Sequence, residues 1–250
     1  MRGTNVFLRW AAVLLLGATG GVGVLEANFI DDLARVHVEA AGGREAQAAL
    51  RSLRATGVTR IAGQELPFIL YAARPRSIRI ETLGEGGTLL RVFDGVHVPW
   101  QKGALLSPPK RLASGQESDF VVEAEFDTLL YDFSTRGIEI EDAGRVEVEG
   151  RPCLRLLVTV RLADAFTLYV DEETLLVVRR DQKKSIGGRQ VVVETYYSDF
   201  RPVAGVLMPF LIRTQSSGRV ATETVITEMV PNPQMPAGFF SPPVAGWPRW

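Results

Sequence analysis

Six short runs of apolar and β-branched residues decide the fold of this 250-residue chain. They are RPCLRLLVTVRL (151–162), FTLYV (166–170), LLVVRRDQK (175–183), QVVVETYY (190–197), VLMPFLIRT (206–214) and RVATETVITEM (219–229). The joints between them carry turn residues, such as Gly187-Gly188 and Ser216-Ser217-Gly218. Connections this short permit hairpins and exclude parallel crossovers, which need roughly a dozen residues. The stretch therefore predicts an antiparallel meander.

The side chains of these strands predict a sheet with one apolar face. Successive residues of a strand point to opposite faces, so every second position belongs to the same face. Apolar side chains occupy such alternating positions in three of the runs: Leu154, Leu156, Val158 and Val160; Phe166, Leu168 and Val170; Val206, Met208, Phe210 and Ile212. An apolar face must be covered by helices, by a second sheet or by a ligand.

The first half of the chain repeats the strand pattern and adds helices. Further strands are predicted at 55–61, 66–72, 77–83, 88–93, 97–101 and 138–148, with a strong hairpin signal at Asp94-Gly95. Apolar residues at helical spacing predict helices over 29–41, 44–53 and 117–133. The proline-rich tail from Pro231 is expected to be irregular and partly disordered. The predicted class is α+β, mainly antiparallel β, with about eleven strands.

The N-terminus has the pattern of an export signal. Arg2 and Arg9 precede the apolar run 10–18, and small residues follow to Gly23. We expect a signal peptide over 1–27, cut after Ala27 or earlier in the glycine-rich part, then a domain over 28–240 and an irregular tail over 241–250. The alternative is an uncleaved anchor, but the uncharged stretch is shorter than the roughly 20 residues of a spanning helix. The predicted location is the periplasm or cell envelope, with no membrane span in the mature chain.

Composition and motifs restrict the chemistry. A net charge of −1 argues against a nucleic-acid partner. The chain has a single cysteine, Cys153, so no internal disulfide can form, and no cysteine near the cleavage region could carry a lipid. No nucleophile-elbow, zinc or phosphate-loop motif occurs, and His37 and His97 are isolated. We therefore predict no catalytic residues, no metal site and no cofactor.

Two segments resemble a known family. The hairpin phrases YVDEETLL (169–176) and YYSDFR (196–201), followed by VAGVLMP (203–209), look like the hairpins of LolA/LolB-like outer-membrane lipoprotein-sorting proteins. The opening VEAAGGREA (38–46) is also similar to the start of exported proteins of that group. The resemblance spans about residues 29–240. It implies a strongly curved sheet, an incomplete barrel wrapped around two or three helices, with an apolar cavity that holds acyl chains.

The resemblance gives a functional hypothesis without catalysis. We expect a non-enzymatic protein that binds or carries lipidated protein or another hydrophobic ligand, with envelope proteins as further partners. The candidates for the cavity lining are the large apolar strand residues Phe68, Phe166, Leu168, Met208 and Phe210. The same side chains could instead pack against the helices, because apolar strand residues usually form core. Two alternatives therefore stay open: an envelope structural or interaction domain with a filled core, and an enzyme whose site is not recognisable.

Overall fold

The computed structural model describes residues 22–103, 108–113, 115–160, 165–186, 189–217 and 219–249. Residues 1–21 of the predicted export signal lie outside these ranges, so the signal stays a prediction. The described helices are α1 (Val22–Ala40), α2 (Arg44–Ala49) and α3 (Gln116–Glu123). Helix α1 begins before the predicted start at Phe29 and includes the proposed cleavage point after Ala27.

Strands make up most of the described chain. They are β1 (Ser52–Ile61), β2 (Gln64–Ala73), β3 (Ser77–Gly84), β4 (Gly87–Phe93), β5 (Trp100–Lys102), β6 (Lys110–Arg111), β7 (Ile138–Val148), β8 (Arg151–Val160), β9 (Phe166–Asp171), β10 (Val177–Ile186), β11 (Arg189–Val203), β12 (Val206–Ser216) and β13 (Arg219–Pro231). The described ranges thus contain thirteen strands where about eleven were predicted. Strands β5 and β6 are too short, at three and two residues, to show an alternating pattern.

All thirteen strands belong to one open sheet. Its order is β6-β5-β4-β3-β2-β1-β13-β12-β11-β10-β9-β8-β7. The two meanders predicted for the two halves of the chain are joined by antiparallel pairing of β1 with β13, in which Ala55 lies opposite Met229. The sheet therefore ends at β6 and β7, and the segment 112–137, which contains α3, connects these two edges.

The helices cover one face of the sheet, which we call the inner face. Helix α1 packs Ile30, Leu33 and Ala34 into one core cluster, with residues of β7, β8 and β9 that include Leu156, Val158, Phe166 and Leu168. Helix α3 packs Phe120 and Val121 into a second cluster, together with the following residue Ala124. The strand residues of this cluster include Phe68, Ile78, Ile80, Phe93 and Phe210. The apolar face predicted from the alternating pattern is therefore covered largely by helices.

The sheet curves toward α3. The guanidinium carbon of Arg91, on β4, lies 5.1 Å from the centre of the Phe120 ring, and Lys184 Nζ, on β10, lies 2.7 Å from Asp119 Oδ2. Strands β4 and β10 are seven steps apart in the sheet, which corresponds to about 34 Å at about 4.8 Å per step. A helix with its side chains is only about 10–12 Å across. The two strands can both contact α3 only because the sheet bends around it.

The third helix is shorter than predicted. We expected it to extend from Glu117 to Phe133, but α3 ends at Glu123 and turns follow. Arg136 donates hydrogen bonds to the carbonyl oxygens of Thr128 (2.7 Å) and Tyr131 (3.0 Å), which a continuous helix would use internally. Side-chain hydrogen bonds from Arg136 thus take the place of the backbone hydrogen bonds of the last predicted helical turns.

Candidate functional site

All five side chains predicted to line a cavity lie on the inner face, but in two places. Phe68, Met208 and Phe210 belong to the cluster around α3, whereas Phe166 and Leu168 belong to the cluster beneath α1. Phe166 and Leu168 are only 2% and 3% exposed, and Phe68 and Phe210 are also buried. Met208 alone among the five is partly exposed. The five residues therefore do not form a single lining.

Other apolar side chains of the inner face also remain partly exposed. Four of them pack against the cluster around α3 without being covered by it: Leu70, Phe126, Ile212 and Met229. The buried Ala55 of β1 lies between Leu70 of β2 and Met229 of β13, each directly opposite it on a neighbouring strand. Together with Met208, these residues form an incompletely covered apolar surface next to α3.

Along the strands, the inner face changes from apolar to polar. Strand β12 presents Val206, Met208, Phe210 and Ile212 in turn, and then Thr214. Thr214 lies opposite Thr195 and Thr222, and its hydroxyl is 2.6 Å from that of Thr222. We call the apolar end, where the turn Ala204-Gly205 joins β11 to β12, the base, and the threonine end the rim. Arg201 of β11 lies opposite Met208 and stacks over the Phe210 ring at 4.6 Å, so a charged side chain also borders the apolar end. The inner face of β12 is therefore apolar toward the base and polar toward the rim.

Two arginines of the inner face, Arg91 and Arg180, form no ion pair within 4.0 Å of a carboxylate among the described residues. Arg180 is opposite Leu168 and Thr195 and stacks over the Phe166 ring at 5.5 Å, while Arg91 stacks over the Phe120 ring of α3. The Nε atoms of both arginines are buried and have no hydrogen-bond partner among the described residues. A buried guanidinium N–H without an acceptor raises the free energy of the folded state. An acceptor that reached either group would therefore be stabilising.

Glu123, at the end of α3, faces both arginines. Burial raises the pKa of its carboxyl group, and the positive charges of Arg91 and Arg180 act in the opposite direction. The residue nevertheless keeps an exposed surface. Glu123 therefore couples α3 electrostatically to both β4 and β10.

The base of the sheet is tightly held by α1, α2 and the strand turns. A Cβ atom at Gly42 would lie 2.0 Å from the Gly205 carbonyl oxygen, and the Leu207 N–H donates to the Ala41 carbonyl at 2.9 Å. The Asn232 side chain accepts from the N–H of Arg51 at 2.8 Å. Contacts with α1 and α2 therefore fix this end of the inner face.

The outer face of the sheet carries a ladder of alternating charge and aromatic rings. Arg155, Tyr169, Arg179, Tyr196 and Arg213 lie directly opposite one another on five consecutive strands. Arg179 is paired with Asp181 at 2.7 Å and with Glu194 at 2.8 Å. Burial and the hydrogen bond to Asp181 raise the pKa of Tyr169 to about 12. Arg179 and Arg213 both pair with carboxylates of the sheet or its hairpin turns, so the ladder stabilises the sheet.

A cleft of about 320 Å³ opens on the same outer face. Its lining mixes charged and apolar side chains, among them Glu141, Leu157, Asp181, Lys183 and Val192. Most of its lining lies on the side opposite the clusters around α1 and α3, but Phe166, one of the predicted cavity residues, also borders it. Within the described residues, no three His, Cys, Asp or Glu side chains are grouped closely enough to hold a metal ion.

The inner arginines and Glu123 were not identified from the sequence. One signal was present at Arg179-Arg180, because adjacent residues of a strand face opposite sides and one of two neighbouring arginines must point to the covered face. Arg91 and Glu123 gave no comparable signal. Only the bending of the sheet brings them together.

Known structures with the same architecture place this chain among LolA-like folds. A LolA superfamily protein from Nitrosomonas europaea has a TM-score of 0.56 at 14% sequence identity, over 84% of this chain and 97% of its own. An outer membrane lipoprotein-sorting domain from Vibrio parahaemolyticus has a TM-score of 0.60 at 10% identity, over 86% and 97%. The chain has a LolA-like fold. The family resemblance stated from the hairpin phrases is thereby confirmed at the level of the fold.

Further comparisons extend this result. A DUF1329 family protein from Desulfovibrio piger matches the LolA-like fold of this chain with a TM-score of 0.55 at 16% identity, over 85% of this chain and 96% of its own. No protein-family model and no curated protein sequence matches the chain. None of the helices in the described ranges is both long and apolar enough to cross a membrane.

Proposed function

We propose that this chain is a non-enzymatic binding or carrier protein for a hydrophobic ligand, the acyl chain of a lipid or of a lipidated protein. The ligand lies between the inner face and α3, inside a sheet that acts as an incomplete barrel. The observation that carries the proposal is the partly exposed apolar surface of Leu70, Met208, Ile212 and Met229 beside the accessible Glu123. The LolA-like fold supports the same conclusion.

The physical basis is the transfer of an alkyl chain out of water. Each methylene group buried against such a surface gains about 0.8 kcal/mol, so about ten of them correspond to a dissociation constant of about 1 μM without any catalytic group. Met208 and Ile212 are the contact residues that the exposure pattern favours. The predicted residues Phe68 and Phe210 belong to the same cluster as these two, and Phe166 and Leu168 belong to the neighbouring cluster beneath α1.

The proposed location is the periplasm or cell envelope, reached through the export signal. Envelope proteins that deliver or receive the cargo are the proposed partners. Lipid recovered by mass spectrometry from protein purified out of the envelope fraction tests location and cargo together. A defined lipid that copurifies in stoichiometric amount supports the carrier function.

Binding itself is tested with a neutral fluorescent probe, N-phenyl-1-naphthylamine, added to the purified protein. We expect saturable fluorescence enhancement that Met208→Glu reduces about tenfold or more, because a carboxylate on the inner face opposes burial of an apolar ligand. The matched control is Leu157→Glu on the outer face, which leaves the titration unchanged. Absence of saturable binding favours instead a structural or interaction domain. In that case Phe120 and Val121 of α3, with the following Ala124, fill the core.

A further inference from the structure

Arg91 and Arg180 are unusual among the charged residues of the chain. Their side chains come from strands β4 and β10, which are seven steps apart in the sheet, and the charges of both act on the Glu123 carboxyl group. Neither makes an ion pair within 4.0 Å to a described residue, and the Nε of each is buried without an acceptor. The structure thus offers two guanidinium donors on the covered side of the sheet.

We propose that Arg91 and Arg180 bind the anionic head group of the lipid, whose acyl chain extends from them toward the base of the inner face. This inference rests on the proposed function and specifies its ligand. Guanidinium groups present N–H donors in a fork that matches the oxygens of a carboxylate or a phosphate. A neutral or cationic head group would leave these donors without an acceptor.

The direction of the chain follows from the polarity of the inner face. Met208, Phe210 and Ile212 lie toward the base, whereas Thr214 and Thr222 lie toward the rim. Arg180 is opposite Thr195, which is in turn opposite Thr214, so the arginine lies at the level where the apolar part of the face ends. Arg91 is opposite Ile80, which is in turn opposite Leu70, so this second arginine lies level with the apolar surface. An amphiphile with its head at Arg180 therefore extends its alkyl chain along that surface toward the base.

Glu123 competes with the ligand for the two arginines. Its carboxyl group is close to both and repels an anionic head group when it is ionised. Removing this charge by Glu123→Gln is expected to strengthen binding of anionic lipids only. Glu123→Gln should therefore raise the affinity for anionic lipids, whereas the arginine substitutions should lower it.

The test compares three ligands with the same alkyl chain: palmitate, hexadecyl phosphate and 1-hexadecanol, each displacing N-phenyl-1-naphthylamine from the purified protein. We expect both anions to bind more tightly than the alcohol. Arg91→Gln and Arg180→Gln each weaken the anions about 10-fold to 100-fold, the value of a charge-assisted hydrogen bond, and change the alcohol less than about twofold. The tighter of the two anions identifies the head group as carboxylate or phosphate.

Arg54→Gln is the matched control, because Arg54 also has a buried Nε without a partner but pairs with Glu228 outside the inner face. Equal affinity of the anions and the alcohol overturns the head-group assignment and leaves the proposed function intact. The assignment is also overturned if the arginine variants lose affinity equally for all three ligands, or if Arg54→Gln loses affinity for the anions to the same extent. If the probe and all three ligands fail to bind, the proposed function fails as well. Should the arginine variants not fold, Glu123→Gln decides: unchanged affinity for the anions overturns the assignment.

Discussion

Lys184 Nζ on β10 lies 2.7 Å from Asp119 Oδ2 on α3, and this ion pair connects the helix to a strand far from the one that Arg91 occupies. The two side chains are 25% and 33% exposed, so solvent screens the pair. The contact matters chiefly for position, because it holds α3 over the middle of the inner face.

The first prediction concerns this pair. We expect a double-mutant cycle of Lys184→Met and Asp119→Asn to give a coupling free energy of about 0.5–1 kcal/mol in urea unfolding. The same single substitutions should increase the rate of proteolysis near α3. A coupling free energy of zero would show that the pair does not fix the helix.

The second prediction concerns the close approach of Gly42 to Gly205. Gly42 has φ +120° and no room for a Cβ atom, so Gly42→Ala should lower the free energy of unfolding by about 3 kcal/mol or more. Gly63 is the matched control, since its φ is +80° with nothing within 4 Å of an added Cβ. Gly63→Ala should cost only about 1 kcal/mol in the same urea titration. Equal losses in the two variants contradict the packing argument.

The third prediction is a pH dependence that arises from His37. The ring is 2% exposed, donates from Nδ1 to the Leu175 carbonyl at 2.7 Å and lies 3.1 Å from the Thr128 hydroxyl at Nε2. Burial lowers the pKa of His37 below its ordinary value of 6.5, although the hydrogen bond to Leu175 acts in the opposite direction. The unfolded chain therefore takes up a proton first, and the stability present above pH 6.5 is lost as the pH falls toward the lowered pKa.

The measurement is urea unfolding at about pH 7.5 and at about pH 5.5, on either side of the ordinary histidine pKa. Wild-type protein should be less stable at the lower pH. His37→Gln should be less stable than wild type at the higher pH. Its free energy of unfolding should change much less between the two pH values than that of the wild type. A wild-type stability that does not change between them contradicts the prediction.

The fourth prediction concerns the outer ladder. Arg179 lies 4.8 Å and 5.2 Å from the Tyr169 and Tyr196 ring centres and pairs with Asp181 and Glu194. Arg179→Leu leaves two partly buried carboxylates without their cationic partner, although each still accepts a hydrogen bond from a tyrosine hydroxyl, and should lower the free energy of unfolding by about 3 kcal/mol. Arg201→Ala, which breaks an exposed pair with Asp199, should cost less than about 1 kcal/mol. Thermal or urea unfolding of the two variants compares them directly, and equal losses exclude a special role for the ladder.

Local sequence patterns predicted most elements but missed two kinds of feature. Strand β7 was predicted over the same residues, 138–148, because turn residues bound it on both sides. The end of α3 was missed because it depends on Arg136 hydrogen bonds to carbonyl groups, and nothing in the segment 117–133 announces them. The sequence also showed no sign of the contact that the tail makes with the sheet, in which the Trp247 indole donates to the Val98 carbonyl at 2.8 Å. Both features depend on side-chain hydrogen bonds to backbone carbonyl groups, which periodicity and turn residues do not report.

The sequence by itself determined that the chain is a set of antiparallel hairpins with one apolar face, because alternation and turn residues act between near neighbours. It also placed Phe68, Phe166, Leu168, Met208 and Phe210 on that face. Only the tertiary structure decided that β1 pairs with β13, that α1 and α3 divide the face into two clusters, and that Arg91, Glu123 and Arg180 meet. These contacts arise from the curvature of a single thirteen-stranded sheet, which is the sum of small twists over many strands and leaves no trace in any one segment.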